Sequence, residues 1–340
     1  MTTFESPSPM ENEATSPAPP LYANVGIPSF LRSPLCLDID TLDADIAVMG
    51  VPTDEGSPFL PGTRFGPRSI REHSLRFAGG PGYYDPQSRR TFLEREMRDG
   101  RIVDAGDAAI LPTNVVDTFG YITAMARAIL KRGAILAVLG GDHAITYPVV
   151  RAFTQPLHVM HFDAHLDYLP FVHGLDMTNG HAFRHISHMP HVNSLTQIGI
   201  RSIRNSRVTL EDSLGDGNRV VTMDEFRANG PEIIIGEVPL GADCYVSIDI
   251  DVLDMSLIPG CVSAEPNGMD YAELRDCLTL LAARTRVVGF DLVEVNPMLD
   301  VGTGVTSYLA THTIVEFLGQ ICSQEQYLSE RGLRARSGGA

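Results

Sequence analysis

Leu157-His158-Val159-Met160-His161-Phe162-Asp163-Ala164-His165-Leu166-Asp167 is a mostly apolar run that breaks into an aspartate, a histidine and a second aspartate, each two residues apart. On an extended backbone alternate side chains point to one side, so Asp163, His165 and Asp167 can converge on one point at a strand end. Two further stretches repeat the theme. Residues 134–139 are apolar and lead into Gly140-Gly141-Asp142-His143, and residues 243–248 lead into Asp249-Ile250-Asp251. Aspartates at strand ends are often merely solvated. The polar ends of the three stretches, 140–143, 163–167 and 249–251, together supply five aspartates and two histidines, and point to a metal site. Hard oxygen ligands mixed with imidazole suit divalent first-row ions. So many carboxylates exceed what one cation balances, so two cations sharing carboxylates, roughly 3.5–4 Å apart, are implied.

Working outward, short apolar runs at 45–49, 101–104, 134–139, 157–162, 194–200, 219–222, 243–248 and 285–290 read as strands, several apolar throughout as in a sheet covered on both faces. Helical stripes lie between them. Phe119, Ile122, Ala126, Ile129 and Leu130 form one, ahead of Gly133. Leu274, Cys277, Leu278 and Leu281 form another, opened by Asp270 with Glu273 three residues on. Strand–helix alternation predicts a single three-layer α/β/α domain over 21–330, with a mainly parallel sheet of about eight strands. Each acidic motif then falls at a strand's carboxyl end, where such sheets build their sites. Residues 1–20, with five prolines, read as a flexible or subunit-packing arm, and 331–340 as a tail.

The chain has 340 residues, 44% of them hydrophobic, and a net charge of −16 from 26 basic and 42 acidic side chains. Without a basic stripe a nucleic-acid partner is not expected. An acidic surface suits a small cationic substrate. Five cysteines without paired spacing read as reduced thiols in a cytoplasmic protein. No run reaches the ~18 apolar residues of a membrane span.

The motifs resemble those of the ureohydrolase family, which includes arginase, agmatinase and guanidinobutyrase. Gly50-Val51-Pro52-Thr53-Asp54-Glu55-Gly56 and Pro61-Gly62-Thr63-Arg64-Phe65-Gly66-Pro67-Arg68 are similar to the agmatinase branch, and Asp291-Leu292-Val293-Glu294-Val295-Asn296-Pro297 to the family's last motif. The resemblance implies an arginase-like fold. It implies one metal on His143, Asp163, Asp167 and Asp249, and a second on Asp163, His165, Asp249 and Asp251. Manganese is the family's usual ion, and the same ligands would hold Ni or Co. It also implies a trimer or hexamer, homo- or hetero-oligomeric.

The implied reaction is cleavage of a guanidinium C–N bond, releasing urea and an amine, as in agmatinases. Glu294 would hold the guanidinium through paired charge-assisted hydrogen bonds. Asp167 would accept a proton from water, and Ser263 would orient the substrate-binding carboxylate. The proton-shuttling histidine is expected within Asn179-Gly180-His181-Ala182-Phe183-Arg184, which resembles a His-Gly-Thr-x-Phe-Arg segment of guanidinobutyrases. His181 is therefore the expected general acid, with His173 as rival. His158 and His161 are expected to be packed structural histidines.

The chain departs from the family where substrate specificity is set. Pro259-Gly260-Cys261-Val262-Ser263-Ala264-Glu265 stands where relatives have Pro-Gly-Thr-Gly-Thr-Pro-Glu, so Cys261 and Val262 are expected to tighten the wall. Leu169 stands where arginases have an asparagine, which disfavours arginine. Asp176 is the sole acid of the 168–185 loop and the expected partner of agmatine's distal ammonium. A tightened pocket also admits a second expectation: guanidine itself, an alkylguanidine, or a methylated biguanide such as metformin. A third, of another class, is a non-catalytic partner subunit of a hetero-oligomer.

Overall fold

The computed structural model describes residues 22–331 except 78, 79 and 237. The expected arm at 1–20, and all of the tail but Arg331, lie outside the described residues.

Among the described residues ten strands occur in chain order: β1 (Ile46–Val51), β2 (Tyr83–Asp85), β3 (Arg90–Phe92), β4 (Ile102–Asp107), β5 (Ile135–Gly140), β6 (Leu157–Phe162), β7 (Val192–Ile200), β8 (Arg219–Thr222), β9 (Asp243–Asp249) and β10 (Arg286–Val293). Eight of them form one sheet in the order β4-β1-β5-β10-β9-β6-β7-β8. Every pairing in it is parallel. The expected eight-stranded α/β fold is therefore present, and all eight apolar runs are its strands. β2 and β3 make a separate antiparallel hairpin that the sequence reading did not anticipate.

Burial on both faces explains the apolar strands. Successive residues of β5 alternate between two cores: Ala137 and Leu139 join one, and Leu136 and Val138 the other. Helices Tyr271–Arg284 and Val305–Cys322 cover the first face. Helices Val115–Lys131 and Ala182–Ser187 cover the second. The cap read at Asp270 is in place: its carboxylate accepts from Glu273 N at 2.8 Å, and Glu273 accepts from Asp270 N at 2.9 Å.

After β5 the chain skips two strand positions to β6, builds outward through β7 and β8, then returns to fill the gap with β9 and β10. The four central strands thus deliver their carboxyl ends side by side at the point where the winding direction reverses. Among the described residues no helix is long and apolar enough to cross a membrane.

Candidate metal centre and active site

Each acidic motif sits in the first turn beyond a central strand. Gly141 takes φ +58, and a Cβ there would lie 2.4 Å from the Val51 carbonyl oxygen, so only glycine allows β5 to turn directly into Asp142 and His143. Asp142 accepts from Ala144 N at 3.1 Å and from Gly56 N at 2.7 Å, tying this turn to the loop after β1. Burial pushes its carboxyl up to about 7. Asp167 and Glu294 are non-glycine residues in the left-handed region, at φ 45 and φ 64. Such a conformation costs of order 1–3 kcal/mol and persists only where surrounding contacts impose it. For Glu294 those contacts are its own N–H on Gly141 O at 2.9 Å and its Oε1, which accepts from His143 N at 2.9 Å.

The turns bring two groups together. His143 Nδ1 lies 3.1 Å from Asp163 Oδ2, 3.2 Å from Asp167 Oδ2 and 3.2 Å from Asp249 Oδ2. His165 Nδ1 lies 3.2 Å from Asp163 Oδ1 and 3.0 Å from Asp251 Oδ2. Asp163 therefore turns one oxygen to each group. An octahedral cation with bonds of roughly 2.1 Å has ligand–ligand edges of about 3.0 Å, the spacing found here.

His143 Nδ1 and Asp251 Oδ2 are buried and make no hydrogen bond. The tautomer of His143 follows from its other nitrogen. Nε2 is 2.9 Å from Ser247 Oγ, whose hydroxyl donates to Asp291 Oδ1 at 2.6 Å, so Ser247 accepts from Nε2–H and Nδ1 is the nitrogen left to face the carboxylates and to bind a cation. Burial first, and neighbouring carboxylates second, push Asp249, Asp251 and Asp167 upward, Asp167 to about 6. Burial would lower the two histidines, but the facing carboxylates push His143 well above the ordinary 6.5 and His165 up to about 12. A nest of buried acids that resist ionising, facing imidazoles that draw protons in, is chemically short of cations, and the residues present fit them.

His161 is more than packing. Buried and stacked on Phe183, it accepts from Gln197 Nε2 at Nδ1, which leaves Nε2–H to donate to Asp163 Oδ2 at 2.7 Å. Burial lowers it to about 4, so it is neutral at physiological pH. His161 is thus packed as expected, and in addition it donates to the carboxylate that both groups share. His158 is half-buried on Ser194, as a packed side chain.

A cavity of about 230 Å³ opens beside the acidic groups and is lined by Asp167, Asn179, Arg204, Val262, Ser263 and Glu294 among others. A larger one, about 420 Å³, lies at the opposite, amino ends of the strands and gathers no metal-type cluster. Glu294 is pushed up to about 8, by burial first and then by the charge of Asp142. A guanidinium beside it would return it to the ionised form.

Several expected site residues are placed differently. His181 is buried and does not line the cavity; its Nδ1 is 2.7 Å from Thr178 Oγ1. Asn179 and Gly180, from the same turn, line it instead, with Asn179 Nδ2 3.5 Å from Glu294 Oε1. Matched position for position, the histidine of His-Gly-Thr-x-Phe-Arg falls on Asn179. His173 is exposed in a turn at φ 57. Asp176 does not line the cavity, and its backbone carbonyl accepts from His185. Val262 lines the wall as expected, but Cys261 is buried behind it, its Sγ within 4.8 Å of carboxylate oxygens of Asp249 and Asp251. Arg204, which sequence reasoning passed over, lines the cavity next to His165.

The arginase family's sequence profile matches residues 44–319. The chain belongs to the arginase family. A proclavaminate amidinohydrolase from Streptomyces clavuligerus is 35% identical over 314 residues, covering 88% of this chain and 94% of that protein. The human mitochondrial guanidino acid hydrolase is 32% identical, covering 89% of this chain and 85% of that protein. A solved structure of proclavaminate amidinohydrolase superposes with a TM-score of 0.78 at 33% identity, covering 88% of this chain and 98% of that one. This arginase-family chain is an amidinohydrolase-type enzyme acting on guanidino compounds, with metal-type ligand clusters in its cavity wall.

Proposed function

We propose that this protein is a dinuclear-metal hydrolase that cleaves a guanidinium C–N bond and releases urea and an amine. The observation that carries the reading is His143 Nδ1: buried, without a hydrogen bond, and ringed by three carboxylate oxygens at the edge of a cavity that also holds Glu294. One cation would rest on His143, Asp163, Asp167 and Asp249, and the other on Asp163, His165, Asp249 and Asp251, with Mn the family's usual ion and Ni or Co accommodated by the same ligands. When bound they supply Lewis acidity that draws the pKa of water from roughly 15.7 toward neutrality.

The protein's own groups do the rest. Glu294 holds the planar guanidinium by charge-assisted hydrogen bonds and presents its central carbon to water. Asp167 lines the same cavity, takes the proton that water loses, and can pass it to the departing nitrogen as the C–N bond breaks. His181, one turn behind the wall, is the rival donor. Agmatine-like chains and smaller guanidines both fit this chemistry. Val262 in the wall favours the smaller ones, and the substrates named for the relatives differ among themselves. Urea release from a panel of guanidines by the metal-loaded protein tests the reading. Glu294→Gln keeps the shape and removes the charge. It should cost at least ~10²-fold in kcat/KM, the scale of losing one preorganised polar contact. Near-normal turnover would move the guanidinium site elsewhere.

A further inference from the structure

Every acid that lines the cavity is already committed. Asp167, Asp249 and Asp251 belong to the two ligand groups, and Glu294 to the guanidinium. Asp176, expected to receive a distal ammonium, is not at the cavity. The one arginine or lysine that lines it is Arg204, in the loop after β7. Its Nε donates to Glu265 Oε1 at 2.9 Å and its Nη2 to the Ser263 carbonyl at 3.2 Å, while Nη2 lies 2.7 Å from His165 Nε2. Nη1 has no hydrogen-bond partner among the described residues, and the side chain is 58% exposed.

Glu265 holds the guanidinium of Arg204 in place and is itself fixed by Ser202 Oγ at 2.7 Å. Arg204 therefore stands as a braced cation at the cavity wall. Asn205, Ser206 and Thr209 continue the lining from Arg204 as a polar rim. Ser206 caps helix Arg207–Gly215, whose positive end adds to the same side. Phe59, Leu169 and Val262 line the same cavity and offer apolar contact for a short methylene spacer.

We propose that Arg204 determines substrate class, by binding a distal carboxylate, so that the substrate is a short ω-guanidino acid. This rests on the hydrolase reading above and adds the group at the far end of the substrate. Glu294 takes the guanidinium, the apolar wall takes the spacer, and the Arg204 fork meets the carboxylate. A distal ammonium meets a like charge there, and no free carboxylate.

The test is urea release by metal-loaded full-length protein from 3-guanidinopropionate, 4-guanidinobutyrate, propylguanidine, agmatine and guanidine, with metal content measured on each variant. In the wild type, kcat/KM for at least one acid should exceed that for agmatine tenfold or more, with propylguanidine between. Arg204→Gln should lower the ratio of acid to propylguanidine at least tenfold, mainly through KM, and Arg204→Glu should move the preference toward agmatine. Arg204→Lys, which keeps the charge, should retain the order if the glutamine variant does not fold. A wild type that prefers agmatine or propylguanidine overturns the assignment, and so does an unchanged ratio in Arg204→Gln; either leaves the hydrolase reading standing. Urea from guanidine but from none of the other four overturns the assignment alone, and urea from none of the five overturns both.

Discussion

Replacing His161 with phenylalanine separates support of the metal centre from packing. The ring is buried and stacked on Phe183 with centroids 3.5 Å apart, so phenylalanine fills the same volume. What disappears is the Nε2–H bond to Asp163 Oδ2 at 2.7 Å. A hydrogen bond to a charged group contributes roughly 1.5–3 kcal/mol. Gln197 loses its contact with Nδ1 yet keeps the Leu166 carbonyl as acceptor, so little further cost falls on the fold. Asp163 faces both ligand groups, so its loosened carboxylate should weaken both cations. Loss of a group that orients a ligand typically costs 10–100-fold in metal affinity, in line with that hydrogen-bond energy. Because burial holds His161 near 4, it is neutral throughout pH 6–8 and the defect should not vary across that range. Competition with a chelator of known affinity measures it, with thermal unfolding as a control. Metal affinity within threefold of wild type would refute the orienting role.

Other outcomes follow from the same geometry. His181→Asn should lower kcat less than tenfold, because its ring is engaged with Thr178 behind the wall; a loss of ~10²–10⁴ would return the proton-donor role to it. Val262→Gly should shift the kcat/KM ratio toward longer substrates by about tenfold, the scale of one apolar contact, whereas Cys261→Thr should leave that ratio unchanged, since Cys261 lies behind the wall against Asp249 and Asp251. Asp45 supplies an acid-sensitive contact. Burial would raise its carboxyl, but hydrogen bonds from Arg101 and Arg95 hold it below the ordinary 3.8. Its stabilisation is therefore full at neutral pH and fades as pH falls from about 4 through the lower folded value. Asp45→Asn should cost about 2 kcal/mol at pH 7 and flatten that part of the stability profile, as denaturant titrations at pH 7 and pH 3.5 would record.

The sheet was legible because its strands are buried on both faces and so read as apolar runs, from 45–49 through 285–290. The hairpin of β2 and β3 was not, because Phe92 alone of its six strand residues is buried and no such pattern results. The carboxylates and histidines of the two ligand groups stood out since i, i+2 spacing is local. Their supports did not. Ser247 reaches His143 from another strand, Gln197 reaches His161 from β7, and Arg204 meets His165 across 39 residues. Such pairings come from the sheet order, which no local spacing encodes. His181 stands off the cavity for a local reason: in a tight turn, a shift of two residues separates the cavity wall from the layer behind it.

The sheet order also bears on how the centre comes into being. β5 and β6 are three strand spacings apart, roughly 14 Å, and β10 and β9 occupy the gap although they are made last. A chain emerging from synthesis has His143, Asp163 and Asp167 long before the strands that set their separation. Until residues 243–293 insert between β5 and β6, the turn bearing His143 has no fixed distance to the turn bearing Asp163. The cluster thus requires β9 and β10 in place, and a chain truncated before β9 would carry most of the ligands without being able to assemble them.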